Sequence, residues 1–183
     1  MERLTIGAIA FGLVLEMAFS APAMGFPAPA APASAKRVSC TITGTPDDDR
    51  LRGTSGADVI CGKGGWDWIV GHEGADILRG GASNDTLLGG LGPDILMGGN
   101  GNDLLLGGDG KDLVLAGFGF DNAKGGEQHD IISGGKGRDV CVSGKDDKGG
   151  DQVHGGPDKD VGDADTGDSV TSVEAFFPGC HGT

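Results

Sequence analysis

Aliphatic residues recur at every ninth position along the middle of the chain. The recurring positions are Leu51, Ile60, Ile69, Leu78, Leu87, Leu96, Leu105, Val114, Ala123 and Ile132, and Cys141 holds the last position of the series. Each of them is the eighth residue of a nonapeptide that begins with a glycine-rich run, and glycine permits the positive φ angles of a tight turn. The last three residues of each nonapeptide predict a very short strand whose middle side chain points inward, because side chains alternate along a strand.

An aspartate stands at the sixth position of eleven consecutive nonapeptides, which run without a gap from residue 44 to residue 142. Glycine opens ten of these eleven units. If two nonapeptides complete one coil, equivalent residues of alternate units stack at about 4.8 Å, the spacing between neighbouring strands. We therefore expect these aspartates to pair along two edges: Asp76 with Asp94, Asp94 with Asp112, Asp85 with Asp103, and Asp103 with Asp121.

This pattern resembles the RTX, or haemolysin-type, calcium-binding nonapeptide repeat, written G-G-x-G-x-D-x-U-x. The resemblance implies an all-β fold, a parallel β-roll solenoid with two nonapeptides per coil, with several Ca²⁺ ions held in the turns. Calcium takes about six to eight oxygen ligands, so carbonyl oxygens of the glycine turns must complete each site. The expected metal ligands are Asp58, Asp67, Asp76, Asp85, Asp94, Asp103, Asp112, Asp121, Asp130 and Asp139. In the alternative interpretation, these aspartates only stabilise turns through their own hydrogen bonds.

Departures from the pattern rank the expected sites. At the first and fourth positions of the pattern, four residues replace glycine, namely Asp47, Ser83, Ala116 and Gln128. The sites bounded by Asp94, Asp103 and Asp112 keep the pattern best, whereas those involving Asp49 or Asp130 depart from it most.

The ends of the chain differ from the repeats. Residues 1–35 combine an apolar stretch with an Ala/Pro-rich run, and they predict a signal peptide that is cleaved after Ala23 or, as we favour, after Ala35. A retained membrane anchor is the alternative. Residues 36–43 are expected to cap the first repeat. Residues 143–183 read as degenerate repeats followed by a C-terminal cap.

The net charge bears on the possible partners, and the cysteines bear on the expected cellular compartment. The formal net charge of -13 argues against nucleic acid as a partner and suits cations, although acidity also serves solubility. The four cysteines favour disulfides in an exported protein, and we expect Cys40 to pair with Cys61 and Cys141 with Cys180. The sequence contains no spacing typical of a zinc site.

The pattern favours a secreted, non-enzymatic calcium-binding β-roll protein whose folding is coupled to calcium binding. An alternative arises from the seventh positions Ile77, Ile95, Leu113 and Ile131, which are expected to form an apolar outer face on one sheet. Such a face suits calcium-dependent adhesion, self-association or an extracellular partner. Trp66 and Trp68 either pack under the N-terminal cap or form an exposed adhesive spot. Enzyme activity is not expected, because the signal segment leads almost directly into the repeats.

Overall fold

The structure, a computed structural model, describes residues 38–143, 150–163, 168–173 and 175–176. Every regular element in these ranges is a β-strand, and the sixteen strands form two parallel sheets of eight strands each. No helix within these ranges is long and apolar enough to cross a membrane. The predicted signal segment lies outside the described residues.

The chain alternates between the two sheets, so odd-numbered strands form sheet A and even-numbered strands form sheet B. Sheet A contains β1 (Ile42–Thr43), β3 (Val59–Gly64), β5 (Ile77–Ala82), β7 (Ile95–Asn100), β9 (Leu113–Phe118), β11 (Ile131–Lys136), β13 (Gln152–His154) and β15 (Ser169–Thr171). Sheet B contains β2 (Arg50–Arg52), β4 (Trp68–Glu73), β6 (Thr86–Leu91), β8 (Leu104–Asp109), β10 (Asn122–Glu127), β12 (Val140–Ser143), β14 (Val161–Asp163) and β16 (Ala175–Phe176).

Each strand pairs with the strand that lies two nonapeptides later in the chain. Ile60 pairs with Leu78, and Leu78 pairs with Leu96, in continuous parallel register. Two nonapeptides therefore complete one coil, as the repeat pattern predicts. The prediction of an all-β parallel β-roll is confirmed.

The core is a double column of eighth-position side chains between the two sheets. The side chains with 0% exposure in this column are Ile60, Ile69, Leu78, Leu87, Leu96, Leu105, Val114, Ala123 and Ile132. Leu51 packs against the same cluster while partly buried, and Val153 extends it toward the C-terminus. The predicted inward direction of the eighth position is confirmed wherever the side chain is described; the side chain of Cys141 is not among the described ones.

The strands are longer than the three residues that the sequence predicts. β5, for example, covers six residues, because pairing continues through the glycines that open the next unit. Gly81 pairs with Gly99 of the following coil, and Gly99 has a φ of 115°. A Cβ on Gly99 would collide with the backbone of Gly81, so at this point successive coils approach too closely for a side chain.

The N-terminal end carries a strand and a disulfide. β1 pairs with β3, and Ile42 packs against the core cluster. A disulfide joins Cys40 to Cys61, with their Cα atoms 6.0 Å apart, and this confirms the first predicted cysteine pair. The second predicted pair involves Cys180, which lies outside the described residues.

The register changes from β12 onward. Ile131 pairs with Gln152, which is 21 residues later rather than 18, and Gln152 pairs with Ser169. Part of this change lies within β12, because Lys124 pairs with Ser143, 19 residues later, and the register shifts between Val140 and Val142. The described C-terminal strands therefore continue the two sheets in irregular register, and the Ala175–Phe176 strand is the last described element.

Seventh-position side chains point outward from sheet A. Ile77, Ile95, Leu113 and Ile131 lie on successive strands in direct register, and Ile131 is 49% exposed. Ile77, Ile95 and Leu113 are half-buried, so the four side chains are aligned on the outer face but only Ile131 is exposed. On the other sheet, Trp68 is exposed and so is Trp66 in the adjoining turn, which excludes packing of the two indoles beneath the N-terminal cap.

Candidate metal centre

Buried aspartates line both edges of the roll, where the chain passes from one sheet to the other. One edge carries Asp58, Asp76, Asp94, Asp112, Asp130 and Asp151, and the other carries Asp67, Asp85, Asp103, Asp121, Asp139 and Asp160. Asp58 is 8% exposed and the others are 3% exposed or less. All ten aspartates predicted as ligands therefore lie in these two rows.

One carboxylate oxygen of each aspartate is held by the preceding coil. The backbone N–H of Asp76 donates to Oδ1 of Asp94 at 2.8 Å, and the N–H of Asp94 donates to Oδ1 of Asp112 at 2.8 Å. Equivalent bonds run along the other edge, for example from Asp85 to Asp103. The structure thus brings together the pairs that the repeat spacing predicts.

The second carboxylate oxygen, Oδ2, is buried without a hydrogen-bond partner along most of both rows. Among the described residues, this holds for Asp67, Asp76, Asp85, Asp94, Asp103, Asp112, Asp121, Asp139 and Asp160. Burying a charged oxygen without a partner is strongly unfavourable, and such groups are normally paired or coordinate a metal. Each of these turns therefore presents an unsatisfied acceptor that suits a cation.

The opening glycine of each repeat leaves a small space in which this oxygen meets a peptide oxygen. A Cβ on Gly71 would contact Oδ2 of Asp76 and would lie 2.6 Å from the carbonyl oxygen of Gly89, one coil later. The same convergence of a carboxylate oxygen and a carbonyl oxygen recurs at Gly62, Gly80, Gly89, Gly98, Gly107 and Gly134.

This donor set fits calcium. The described residues contain no group of three or more His, Cys, Asp or Glu side chains placed to hold a metal ion, so carboxylates alone do not complete a site. Calcium accepts carbonyl and carboxylate oxygens together at about 2.3–2.6 Å, whereas softer metals prefer sulfur or imidazole. A bound ion would supply the positive charge that the buried Oδ2 atoms require.

Burial raises the pKa of these carboxyl groups and so disfavours their ionisation. Desolvation raises the pKa to about 7 at Asp85, Asp94 and Asp121 and to about 6 at Asp112 and Asp139. The neighbouring carboxylates of the same row add a smaller upward contribution, as Asp112 and Asp76 do for Asp94. Without a cation, the interior of each row is therefore an unfavourable place for negative charge.

Acid is expected to promote ordering of the calcium-free chain. A carboxyl whose pKa is raised by folding binds its proton more tightly in the folded state, so the folded state gains stability as pH falls from about 7 toward the ordinary value of 3.8. The far-ultraviolet circular dichroism of protein freed of calcium by gel filtration should show more β-structure at pH 5 than at pH 8. The reverse order would contradict the raised pKa values.

The first two turns are built differently from the interior ones. Asp58 Oδ2 accepts hydrogen bonds from the N–H and hydroxyl of Thr54, at 2.7 Å and 2.8 Å. Thr45 binds Asp49 in the same way. These bonds hold the pKa of Asp58 below its usual range. The sequence shows threonine at the second position of these two units, but its role is visible only from the contact.

Two further aspartates continue the rows beyond the predicted set. Asp151 Oδ1 accepts the N–H of Asp130 at 2.7 Å, and Asp160 Oδ1 accepts the N–H of Asp139 at 3.0 Å. Both bonds span 21 residues, so the insertion moves these aspartates out of the nine-residue period without moving them off the edge. The Asp-x-aliphatic signal at Asp151 marks its place in the sequence.

The chain winds between two parallel sheets, and its glycine turns present paired carboxylates and carbonyl oxygens. These features define a β-roll of the calcium-binding type. The chain belongs to the family described as RTX calcium-binding nonapeptide repeat. Four copies of this repeat match, at residues 41–65, 62–96, 88–123 and 115–147, which together cover more than half of the chain. The repeats of this family bind calcium, which implies several ions for this chain. No curated protein and no solved structure matches the chain.

Proposed function

We propose that this protein is a secreted calcium-binding β-roll, without enzymatic activity, whose folding is coupled to calcium binding. The observation that carries the proposal is the buried Oδ2 atom without a hydrogen-bond partner that recurs on both edges, at Asp76, Asp94 and Asp112 on one and at Asp67, Asp85, Asp103, Asp121, Asp139 and Asp160 on the other. The proposed carboxylate ligands are Asp67, Asp76, Asp85, Asp94, Asp103, Asp112, Asp121, Asp130 and Asp139, with carbonyl oxygens of the opening glycines beside them. The Cys40–Cys61 disulfide is compatible with an extracellular location.

The coupling follows because two unfavourable contributions oppose folding of the calcium-free chain. Ordering a glycine-rich chain costs conformational entropy, and stacking the aspartates places buried negative charges one coil apart. An ion shared between successive turns would offset both costs, so that binding energy becomes folding energy. Affinity in the micromolar to millimolar range would suffice at extracellular calcium concentrations.

The interior sites are expected to differ in strength. Asp94, Asp103 and Asp112 lie in turns whose opening residue is glycine. Ala116 instead places a methyl group, with 0% exposure, at the opening position of the turn that contains Asp121. We therefore rank the site at Asp121 below its neighbours.

Circular dichroism tests the coupling directly. Calcium added to calcium-free protein at pH 7.5 should increase the β-sheet signal at a midpoint in the micromolar to millimolar range. Magnesium at the same concentration serves as the control, because it prefers a tighter octahedral shell and is expected to restore little of the signal. Equal β-content in calcium and in chelator would contradict the proposed coupling of folding to calcium binding.

A second candidate function is calcium-dependent self-association or adhesion through the outer face of sheet A. The apolar ladder of Ile77, Ile95, Leu113 and Ile131 favours it, because aligned apolar side chains on an outer face are a feature of interfaces, and Ile131 is exposed while the other three are half-buried. This function would appear only in the calcium form, since the ladder exists only when the coils are stacked.

Sedimentation velocity distinguishes this candidate from a strictly monomeric β-roll. The calcium form should associate with increasing concentration, and the double variant Leu113→Thr with Ile131→Thr should remain monomeric. Leu104→Thr is the matched control, because Leu104 holds the same repeat position on sheet B. A monomeric native protein at all concentrations, in calcium, would exclude self-association.

A further inference from the structure

The turns at the N-terminal end have a different backbone from those of the interior. In interior units, the second and fourth residues take positive φ everywhere except at Gly110, as His72 and Gly74 do at 85° and 131°. The corresponding residues of the first two units, among them Thr54 and Gly56, are not in the positive-φ region. The chain therefore makes its first two turns without the glycine conformation that the later turns require.

This backbone surrounds the first carboxylates with donors. Both Oδ2 atoms, those of Asp49 and Asp58, receive an N–H and a hydroxyl from the threonine four residues earlier. The other oxygen of Asp58 accepts the hydroxyl of Thr41 at 3.1 Å. Donors supply the partial positive charge that the interior Oδ2 atoms lack, so these two carboxylates are satisfied by the protein itself.

A lysine ammonium group lies at the same end of the roll. The Lys63 ammonium group donates to the carbonyl oxygen of Gly44 at 2.7 Å. Gly44 opens the first repeat, and the opening-glycine carbonyls are the peptide oxygens that converge on carboxylates in the interior. A lysine side chain thus binds an oxygen of the type that the interior coils would offer to calcium.

The disulfide stabilises the same part of the chain covalently. It joins Cys40, just before β1, to Cys61 in β3, across 21 residues that include the first two turns. Closing a loop of this length lowers the entropy of the unfolded chain and so favours the folded one. Disulfide, threonine contacts and lysine contact all fall within residues 40–63, which we call the N-terminal coil.

We infer that the N-terminal coil is held by its own side chains rather than by calcium, and that it is the ordered template onto which calcium adds the later coils. This inference rests on the proposed coupling of calcium binding and folding in the interior repeats. A solenoid gains stability from each neighbouring repeat, so the first coil has the highest cost to form and benefits most from support that is always present.

Hydrogen–deuterium exchange of the full chain, followed by mass spectrometry, tests the inference. Without calcium, backbone amides of residues 41–61 should exchange at least roughly tenfold more slowly than those of residues 76–139, because only the first segment is held without the ion. With calcium, both segments should be protected.

Two sets of variants test whether the two threonines and the disulfide stabilise the N-terminal coil. Thr45→Val with Thr54→Val should accelerate calcium-free exchange of residues 41–61 roughly tenfold, since hydrogen bonds to charged groups are lost. Thr45→Ser with Thr54→Ser should retain protection, and Thr86→Val, in a strand, is the matched control. Cys40→Ser with Cys61→Ser should act like the valine pair, and it leaves the other two cysteines untouched.

The outcomes separate this inference from the proposed function. If calcium protects residues 76–139 but residues 41–61 exchange equally fast without it, the inference is overturned and the proposed function stands. If the valine pair leaves calcium-free protection unchanged, the role of the threonines is overturned. If calcium changes exchange nowhere along the chain, the inference and the proposed function are both wrong.

Discussion

An Asp103→Asn variant is expected to lose calcium affinity at its site while the calcium-free chain becomes more ordered. Asparagine keeps the oxygen that accepts the N–H of Asp85 at 2.8 Å. It replaces the buried Oδ2, which lacks a hydrogen-bond partner, with an NH₂ group beside the carbonyl oxygen of Ala116. The substitution therefore removes a costly buried charge in the absence of the ion and removes an ionic ligand in its presence.

The size of the calcium effect follows from the lost charge. Attraction between unit charges about 4 Å apart is about 4 kcal/mol at an effective dielectric constant near 20, and the amide oxygen recovers part of it. We expect roughly a hundredfold weaker binding at this site, which corresponds to about 2.7 kcal/mol. Isothermal titration calorimetry gives the affinity, and circular dichroism in chelator gives the calcium-free order.

Asp109→Asn is the matched control for Asp103→Asn. Asp109 is an exposed aspartate at the end of β8, so its substitution changes the net charge equally without removing a row carboxylate; its charge makes only a minor upward contribution to the pKa of Asp112. It should alter neither the number of bound ions nor the calcium-free spectrum appreciably. Equal effects of both variants would show that overall acidity, rather than the aligned aspartates, governs calcium binding.

Gly74→Ala should destabilise the calcium-bound roll severely, whereas Gly56→Ala should be tolerated. Both glycines hold the fourth position of their repeats, one coil apart on the same edge. Gly74 has a φ of 131°, and a Cβ there would lie 2.8 Å from the carbonyl carbon of Gly56. At Gly56 the nearest atom would be Oγ1 of Thr54 at 3.9 Å, an ordinary contact.

Backbone strain and steric collision set the expected difference between these two variants. Forcing a side chain into a sparsely populated φ region costs on the order of 1–3 kcal/mol, and displacement of the neighbouring coil adds to it. We expect a loss of about 3 kcal/mol in the free energy of unfolding for Gly74→Ala and a change within about 0.5 kcal/mol for Gly56→Ala. Urea unfolding at saturating calcium measures both. Similar losses would contradict the distinct geometry of the first turns.

The fold was predictable because its two periodic signals agree. The aliphatic residue at the eighth position supplies a continuous core, and the aspartate at the sixth supplies two aligned rows, so one repeat length accounts for both. The Cys40–Cys61 pair was predictable for a similar reason, since both residues lie at the same end of a linear array. The Asp76–Asp94 contact follows from the repeat length alone, because strand spacing in a parallel sheet is fixed.

Other features escaped the sequence because they depend on contacts between coils. The strands extend through the opening glycines because the adjacent coil offers backbone partners there. Ser83 and Gln128 depart from the glycine pattern and still take positive φ, at 79° and 84°, because the neighbouring coils impose the turn. Asp151 rejoins its row despite the insertion before it.

By itself, the sequence determined the coil length, the inward column of aliphatic residues and the two rows of paired aspartates, since each follows from a period and a fixed strand spacing. Only the tertiary structure decided which carboxylate oxygens lack a partner. Oδ2 of Asp94 is unsatisfied and Oδ2 of Asp58 is not, although both aspartates hold the same place in the repeat. The difference lies in whether the turn directs N–H and hydroxyl donors toward the carboxylate, and that depends on the backbone conformation of each turn.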